Sequence, residues 1–295
     1  MISDQPLLLC VDFDSGTANK TNNLLDSETP SEINVAASSK LYPAEFHPLL
    51  LPQHGISLFL ADRTKRIHFV RHAEGHHNVA TRNANGQNTP IECRTAGSER
   101  YLDARLTPHG QRQCQRLDRD IATVRIKNPG SFPIDLIVTS PFTRALETAE
   151  IVFGPFDYPG TPPVLVHELC RERAGLYMCD RLRPKADIVN DFQKSSGGNV
   201  DFDSFWSGDS SLDERWSETR ESADSLSERA VLFLKWLAAR DEKEIAVVTH
   251  SSFLRHLFNQ FGDNVDMEDQ GRLQRTAGNC ELRTVLLCVH SMSKL

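Results

Sequence analysis

The sequence predicts an α/β fold: a three-layer sandwich with a mostly parallel central sheet and helices on both faces. Three observations carry this. Short apolar runs of strand type recur between residues 65 and 290. Stretches with helical apolar spacing lie between them. Polar, chemistry-bearing residues collect directly after the runs. In an open parallel sheet ligands bind beyond the carboxyl ends of the strands, so that collection marks the expected site.

The elements follow in chain order. Residues 66–71 (RIHFVR) form a β-prone run. Thr107-Pro108 signals a helix start, because Thr can cap and Pro suits the first helical position. Cys114, Leu117, Ile121 and Val124 then mark one helical face. Residues 134–139 (IDLIVT) read as a buried strand, and Ser140-Pro141 opens a helix with Phe142, Ala145, Ala149 and Val152 inward. Residues 163–166 are a short strand candidate. Leu226, Ala230, Phe233, Leu234 and Leu237 mark a long amphipathic helix. Residues 244–249 (EIAVVT) are a strand, residues 252–261 a helix, and residues 282–289 (LRTVLLCV) the last strand.

Two regions stand apart from this alternation. Residues 1–64 read as a flexible, partly draped N-terminal extension: 14–40 is rich in Ser, Thr, Asn and Asp, and 41–60 is apolar but broken by prolines. Residues 65–295 form the main domain. Within it, residues 176–220 carry many Asp, Ser and Gly and few apolar positions, so they read as an insertion over the site.

Composition limits the partners. The 295 residues carry a formal net charge of −7, so no overall basic field favours nucleic acid or an anionic membrane. An anionic ligand then needs a local cluster of Arg and His. The seven cysteines include no C-x-x-C pair, which fits free thiols in a reducing compartment. No apolar run reaches membrane-spanning length. Residues 7–13 (LLLCVDF) are short, contain Asp12 and lack the basic flank of a signal peptide, so a cytoplasmic location is expected.

Three strand-end clusters carry the chemistry. The first is Arg71-His72-Ala73-Glu74-Gly75-His76-His77-Asn78. A guanidinium binds phosphate oxygens with a fork of N–H donors, and a neutral imidazole in line with phosphorus can attack it. A metal site built on His72, His76 and His77 is the competing reading, although the cluster lacks the H-E-x-x-H order. The second cluster is Thr139 to Ala149, with Arg144 in a first helical turn where backbone N–H groups also favour anions. The third is Val248-Thr249-His250-Ser251-Ser252. Singly, each is as easily a surface pair, a solvated arginine or a capped turn. The predicted sheet brings all three to one edge.

Together these segments resemble the histidine phosphatase superfamily, which includes cofactor-dependent phosphoglycerate mutases. The matches are Arg71-His72, Asn78, Asp103-x-x-Leu106-Thr107-x-x-Gly110 with Gln113, the S-P-x-x-R-A-x-x-T-A run from Ser140 to Ala149, and His250. They cover roughly residues 66–290. The phosphoglycerate-mutase-like proteins of plants and fungi look most similar, through Leu169-Cys170-Arg171-Glu172, Gly175, Cys179-Asp180-x-x-Arg183 and Asn279-Cys280-Glu281-Leu282-Arg283. Two departures stand out: Ala73 and Ser251 occupy positions where the family often has glycine.

The resemblance implies a phosphoglycerate-mutase-like fold and a metal-independent enzyme without a cofactor, acting on a small phosphorylated substrate. It implies His72 as nucleophile, with Arg71, Arg144 and His250 on the phosphoryl oxygens and Asn78 orienting the phosphate or its loop. Glu172 is the implied proton donor, with Glu168 as its rival, because the family's glycine lies four residues after its acid and Gly175 lies three after Glu172. A phosphomonoester hydrolase, a mutase-type phosphoryl transferase and a non-catalytic phosphate-binding module all fit these residues. Substrate and oligomeric state are not written in the sequence.

Overall fold

A computed structural model describes residues 7–11, 64–87, 98–196, 199–206, 213–260 and 267–289. The expectations for residues 14–40 and 41–60 lie outside these. Seven strands form one sheet: β1 (Leu7–Val11), β2 (Thr64–Arg71), β3 (Leu136–Thr139), β4 (Val164–His167), β5 (Val200–Phe205), β6 (Glu244–Thr249) and β7 (Leu282–Val289). Their order is β1-β7-β2-β6-β3-β4-β5. Only the β2–β7 pairing is antiparallel; the other five are parallel.

Alternation along the strands explains the three layers. Ile67 and Phe69 of β2, Leu136 and Val138 of β3, and Ile245 and Val247 of β6 face one apolar cluster. Val70, Ile137, Ala246 and Val248 face another. Such a period of two with both faces apolar requires cover on both sides. Helices α5 (Ala223–Ala239), α6 (Ser251–Asn259) and α7 (Met267–Gln274) cover the first face through Leu226, Phe233, Leu257 and Leu273. Helices α2 (Pro108–Lys127), α3 (Thr143–Phe153) and α4 (Lys185–Ser196) cover the second through Cys114, Leu117, Ala149 and Ile188. The remaining helix, α1 (His76–Gln87), follows β2.

Local chemistry sets the ends. The Thr107 hydroxyl accepts the N–H of Gly110, and Pro108 opens α2, as the sequence predicts. Helix α3 starts at Thr143, three residues after Ser140, and its cap comes from elsewhere. Asp103 Oδ1 accepts the Thr143 N–H at 2.8 Å.

Two stretches carry more structure than the sequence indicates. In the N-terminal extension, Leu7–Val11 adds a strand to β7 in parallel register, Leu7 opposite Val285. Within 176–220 a helix and a strand form. Ile188 and Phe192 form one helical face of α4, and Val200 and Phe202 one face of edge strand β5, all buried in the second cluster. Four correctly spaced apolar residues suffice where the helix and strand are half exposed.

Candidate active site

The central strands β2, β6 and β3 are neighbours and end together. Arg71 pairs with Thr249 across β2 and β6. The His72 N–H then donates to the Thr249 carbonyl at 2.8 Å, and the Ser140 N–H to Val248 at 3.0 Å. This backbone seam brings His72, His250 and the Ser140–Arg144 turn to one point. All three sequence clusters therefore meet at the carboxyl edge.

His72 is buried, and its ring lies 5.0 Å from that of His250, centroid to centroid. Its Nδ1 lies 2.7 Å from the Ala73 carbonyl oxygen. A carbonyl only accepts, so Nδ1 carries the proton and Nε2 keeps its lone pair. Burial first, then the positive charge of Arg144, hold its pKa well below the ordinary range. The same causes, in the same order, lower His250. Both imidazoles are neutral at pH 7.

The arginines are fixed from behind. Arg71 donates to the Ala277 carbonyl at 2.7 Å. Arg144 donates to the Cys179 carbonyl at 2.8 Å and to Asp180 Oδ1 at 3.3 Å, over the Phe142 ring. The Nε atoms of both arginines and Nδ1 of His250 are buried with no hydrogen-bond partner. Buried polar atoms are rarely left in that state, and the two guanidinium N–H groups are the kind of donor that an anion accepts from.

Of the two rival carboxylates, Glu172 is the one beside this cluster. Its charge acts directly on Arg71 and on Arg220. Its oxygens accept N–H bonds from Arg173, Ser252 and Phe253, so it also caps the first turn of α6. Glu168 instead pairs with Arg215 at 2.7 Å. Asn78 Oδ1 accepts the Gly75 N–H and a bond from Asn279 Nδ2, which also reaches the His72 carbonyl. Asn78 thus closes the loop that carries His72. Among the described residues no three His, Cys, Asp or Glu side chains are grouped to hold a metal ion, and His76 is exposed while His72 and His77 are buried.

Residues 67–288 match the histidine phosphatase superfamily, branch 1. The chain belongs to this superfamily. A phosphoglycerate mutase-like protein of Arabidopsis thaliana is 32% identical over 262 residues, which cover 80% of this chain and 89% of that protein. A phosphomutase-like protein of Candida albicans is 31% identical over 212 residues, covering 69% of this chain and 62% of that protein. Among solved structures, the alpha-ribazole phosphatase from Shigella flexneri aligns with TM-score 0.45 and 18% identity, covering 77% of this chain and 96% of that one. A mycobacterial glucosyl-3-phosphoglycerate phosphatase aligns with TM-score 0.42 and 18% identity, covering 78% and 100%.

For this histidine phosphatase superfamily member, the departures at Ala73 and Ser251 fit the geometry. Ala73 is buried and its N–H donates to Thr148 Oγ1 at 3.1 Å; a methyl group is accommodated there. Thr148 in turn donates to the Arg144 carbonyl, tying the His72 loop to α3. Ser251 simply begins α6. Sequence reasoning missed four residues of the surround. Ser140 Oγ lies 2.7 Å from His250 Nε2. Asp180 bridges Arg144 and Arg220, the latter at 2.7 Å. Arg229 of α5 donates to the carbonyls of Leu169, Arg171 and Glu172, clamping the segment that presents Glu172. Ser140 and Asp180 lie inside sequence motifs of the site, which is their signal; Arg220 and Arg229 carry none.

Among the described residues, no helix is long and apolar enough to cross a membrane.

Proposed function

We propose that this chain is a metal-independent phosphomonoester hydrolase that works through a phosphohistidine on His72. The observation that carries the reading is the neutral Nε2 of His72. Its proton is held at Nδ1 by Ala73, and Arg71, Arg144 and His250 surround it. In the reaction the Nε2 lone pair attacks phosphorus and the ester P–O bond breaks. Glu172 gives a proton to the leaving alkoxide. Glu172 then takes a proton from water, the hydroxide attacks the phosphohistidine, and inorganic phosphate leaves with the N–P bond broken. Arg71, Arg144 and His250 hold the equatorial oxygens, where positioning and electrostatics supply most of the rate. Asn78 keeps the loop in place.

The alternative is a phosphoglycerate mutase-type transferase, the activity named for the Arabidopsis relative's likeness. Such an enzyme must retain a bisphosphorylated intermediate, which calls for unpaired positive charge around the site. Here Arg183 is taken by Asp103 and Asp191, Lys185 by Asp203, and Arg220 by Asp180. That pairing favours water as the acceptor. The substrate is a small phosphorylated molecule. Five free thiols among the described residues fit a cytoplasmic enzyme.

The test is direct. Purified protein is incubated with phosphomonoesters, and acid-labile phosphate is sought on His72. Release of inorganic phosphate with transient labelling, both lost in His72→Ala, supports the reading. Conversion of 3-phosphoglycerate with its bisphosphate primer, without phosphate release, supports the transferase. Phosphate binding with neither reaction supports the non-catalytic module.

A further inference from the structure

His77 has no part in the reaction above, yet it lies beside the groups that do. It stands in the first turn of α1, five residues after His72, and is buried. Its ring centroid is 5.4 Å from that of His72, close to the 5.0 Å that separates His72 from His250. Burial first, then the charges of Arg144 and Arg71, hold its pKa well below the ordinary range. The same two guanidinium groups act on His72 and His250.

The placement is built by the loop. A Cβ at Gly75 would stand 2.8 Å from His77 Nδ1 and 2.9 Å from its Cε1, with the Arg105 carbonyl at 3.3 Å behind. Only glycine at position 75 lets the ring fold back beside His72. The Gly75 N–H is itself held by Asn78 Oδ1, the residue that follows His77. A ring serving only as filler would be better apolar, because burying imidazole near two cations costs free energy that a phenyl ring does not incur. A neutral imidazole, however, always presents one N–H, and a phosphoryl group needs donors at this point.

We infer that His77 is a third imidazole of the phosphate site, donating a ring N–H to a phosphoryl oxygen alongside Arg71, Arg144 and His250. This rests on the phosphate-site reading above and adds a ligand to it. The site is then read by three histidines and two arginines.

The full chain, labelled with ¹⁵N in its histidine rings, is titrated with orthovanadate and with inorganic phosphate. The His77 ring resonances are expected to move together with those of His72 and His250. His77→Phe is expected to weaken vanadate binding by about 10- to 100-fold, the size of one hydrogen bond to a charged group. His77→Gln, which keeps an N–H donor, is expected to recover part of that loss. Should His77→Phe fail to fold, the ring resonances of the unaltered chain still decide. Movement at His72 and His250 with a still His77, or unchanged vanadate affinity in folded His77→Phe, overturns the inference and leaves the phosphate site standing. No movement at any of the three rings overturns both.

Discussion

His250 Nε2 and Ser140 Oγ lie 2.7 Å apart, entirely buried, across the ends of β6 and β3. Holding a phosphoryl oxygen requires a proton on the other nitrogen, Nδ1, which has no protein partner. Ser140 must then be the donor to Nε2, and it selects the tautomer that His250 presents. Ser140→Ala removes that selection but keeps the Ser140 backbone bond to Val248. The expected loss is about 1 kcal/mol, roughly five- to tenfold in kcat/KM. Steady-state kinetics with p-nitrophenyl phosphate beside a thermal unfolding curve checks it. An unchanged kcat/KM would leave His250 without the donor role.

Arg144 is held by Cys179, Asp180 and the Phe142 ring at once. A lysine keeps the charge but not the planar fork, so it cannot occupy all of these positions and still face an anion. Arg144→Lys is expected to lower kcat/KM by about 10²- to 10³-fold. Because the side chain is fully buried, the variant needs a parallel check of Tm. A folded Arg144→Lys with native kcat/KM would remove Arg144 from the phosphate site.

Much of this arrangement is legible in the sequence, and the reason is local. Strands β2, β3 and β6 announce themselves through alternation, and His72, Arg144 and His250 follow strand ends that topology must gather. What stays hidden depends on partners far along the chain. Strand β1 pairs with a strand some 280 residues later, and its short apolar run says nothing about that. Asp180, Arg220 and Arg229 lie in polar surroundings where a charged residue is usually solvated; only the fold reveals that they hold Arg144 and the Glu172 segment. Asp103 was visible as a motif residue, but its work as the remote cap of α3 was not. The ambiguity between Glu172 and Glu168 is of the same kind: the spacing to Gly175 leaves both open, and only the fold shows that Glu172 touches the first turn of α6 while Glu168 pairs with Arg215.

That ambiguity yields a paired prediction. Glu172 acts on Arg71 and touches the first turn of α6, whereas Glu168 pairs with Arg215. Glu172→Gln is expected to lower kcat by about 10²- to 10⁴-fold for an alkyl phosphate. For p-nitrophenyl phosphate, whose leaving group needs no proton, the loss in kcat/KM should shrink, whereas kcat should stay low and phosphohistidine should accumulate, because Glu172 also activates the water. Glu168→Gln should leave kcat nearly unchanged, because buried Glu168 pairs with Arg215 and Arg171 and not with Arg71, although it should lower Tm. Rapid-quench measurement of both variants on both substrates separates the roles, and a reversed pattern would reassign the acid.

His167 gives stability a pH dependence. Its Nδ1 accepts the Leu169 N–H, and its ring stacks on Phe205 against Trp236. Charging it would protonate the acceptor nitrogen inside an aromatic pocket, and burial lowers its pKa to about 4. The unfolded chain takes up this proton below about pH 6.5, and the folded chain does not. The stabilisation is therefore complete above about pH 6.5 and declines as the pH falls toward 4. From pH 7 to pH 5 this one group accounts for about 2 kcal/mol. Urea unfolding at both values should show a fall in the native chain that is smaller by about that amount in His167→Phe. Equal slopes would mean that His167 titrates normally.

Two glycines predict opposite signs for the same substitution. At Gly110, in the first turn of α2, an added Cβ would stand 2.2 Å from the Glu74 carbonyl oxygen. That oxygen is already fixed by the Thr107 N–H at 2.9 Å, and the Glu74 carboxylate by the Thr107 hydroxyl at 2.8 Å. Neither side can yield without moving the chain two residues after His72. Gly110→Ala is expected to destabilise by about 1–3 kcal/mol, the usual cost of overpacking, and to lower kcat with it. At Gly271, exposed on α7, an added Cβ meets nothing within 4 Å. There the methyl group only narrows the unfolded ensemble and favours the helix, so Gly271→Ala is expected to stabilise by up to about 1 kcal/mol with kcat unchanged. Chemical unfolding and kinetics on the two variants test the pair together. A tolerated alanine at position 110 would mean that α2 and the His72 loop do not approach as closely as their shared contacts at Glu74 require.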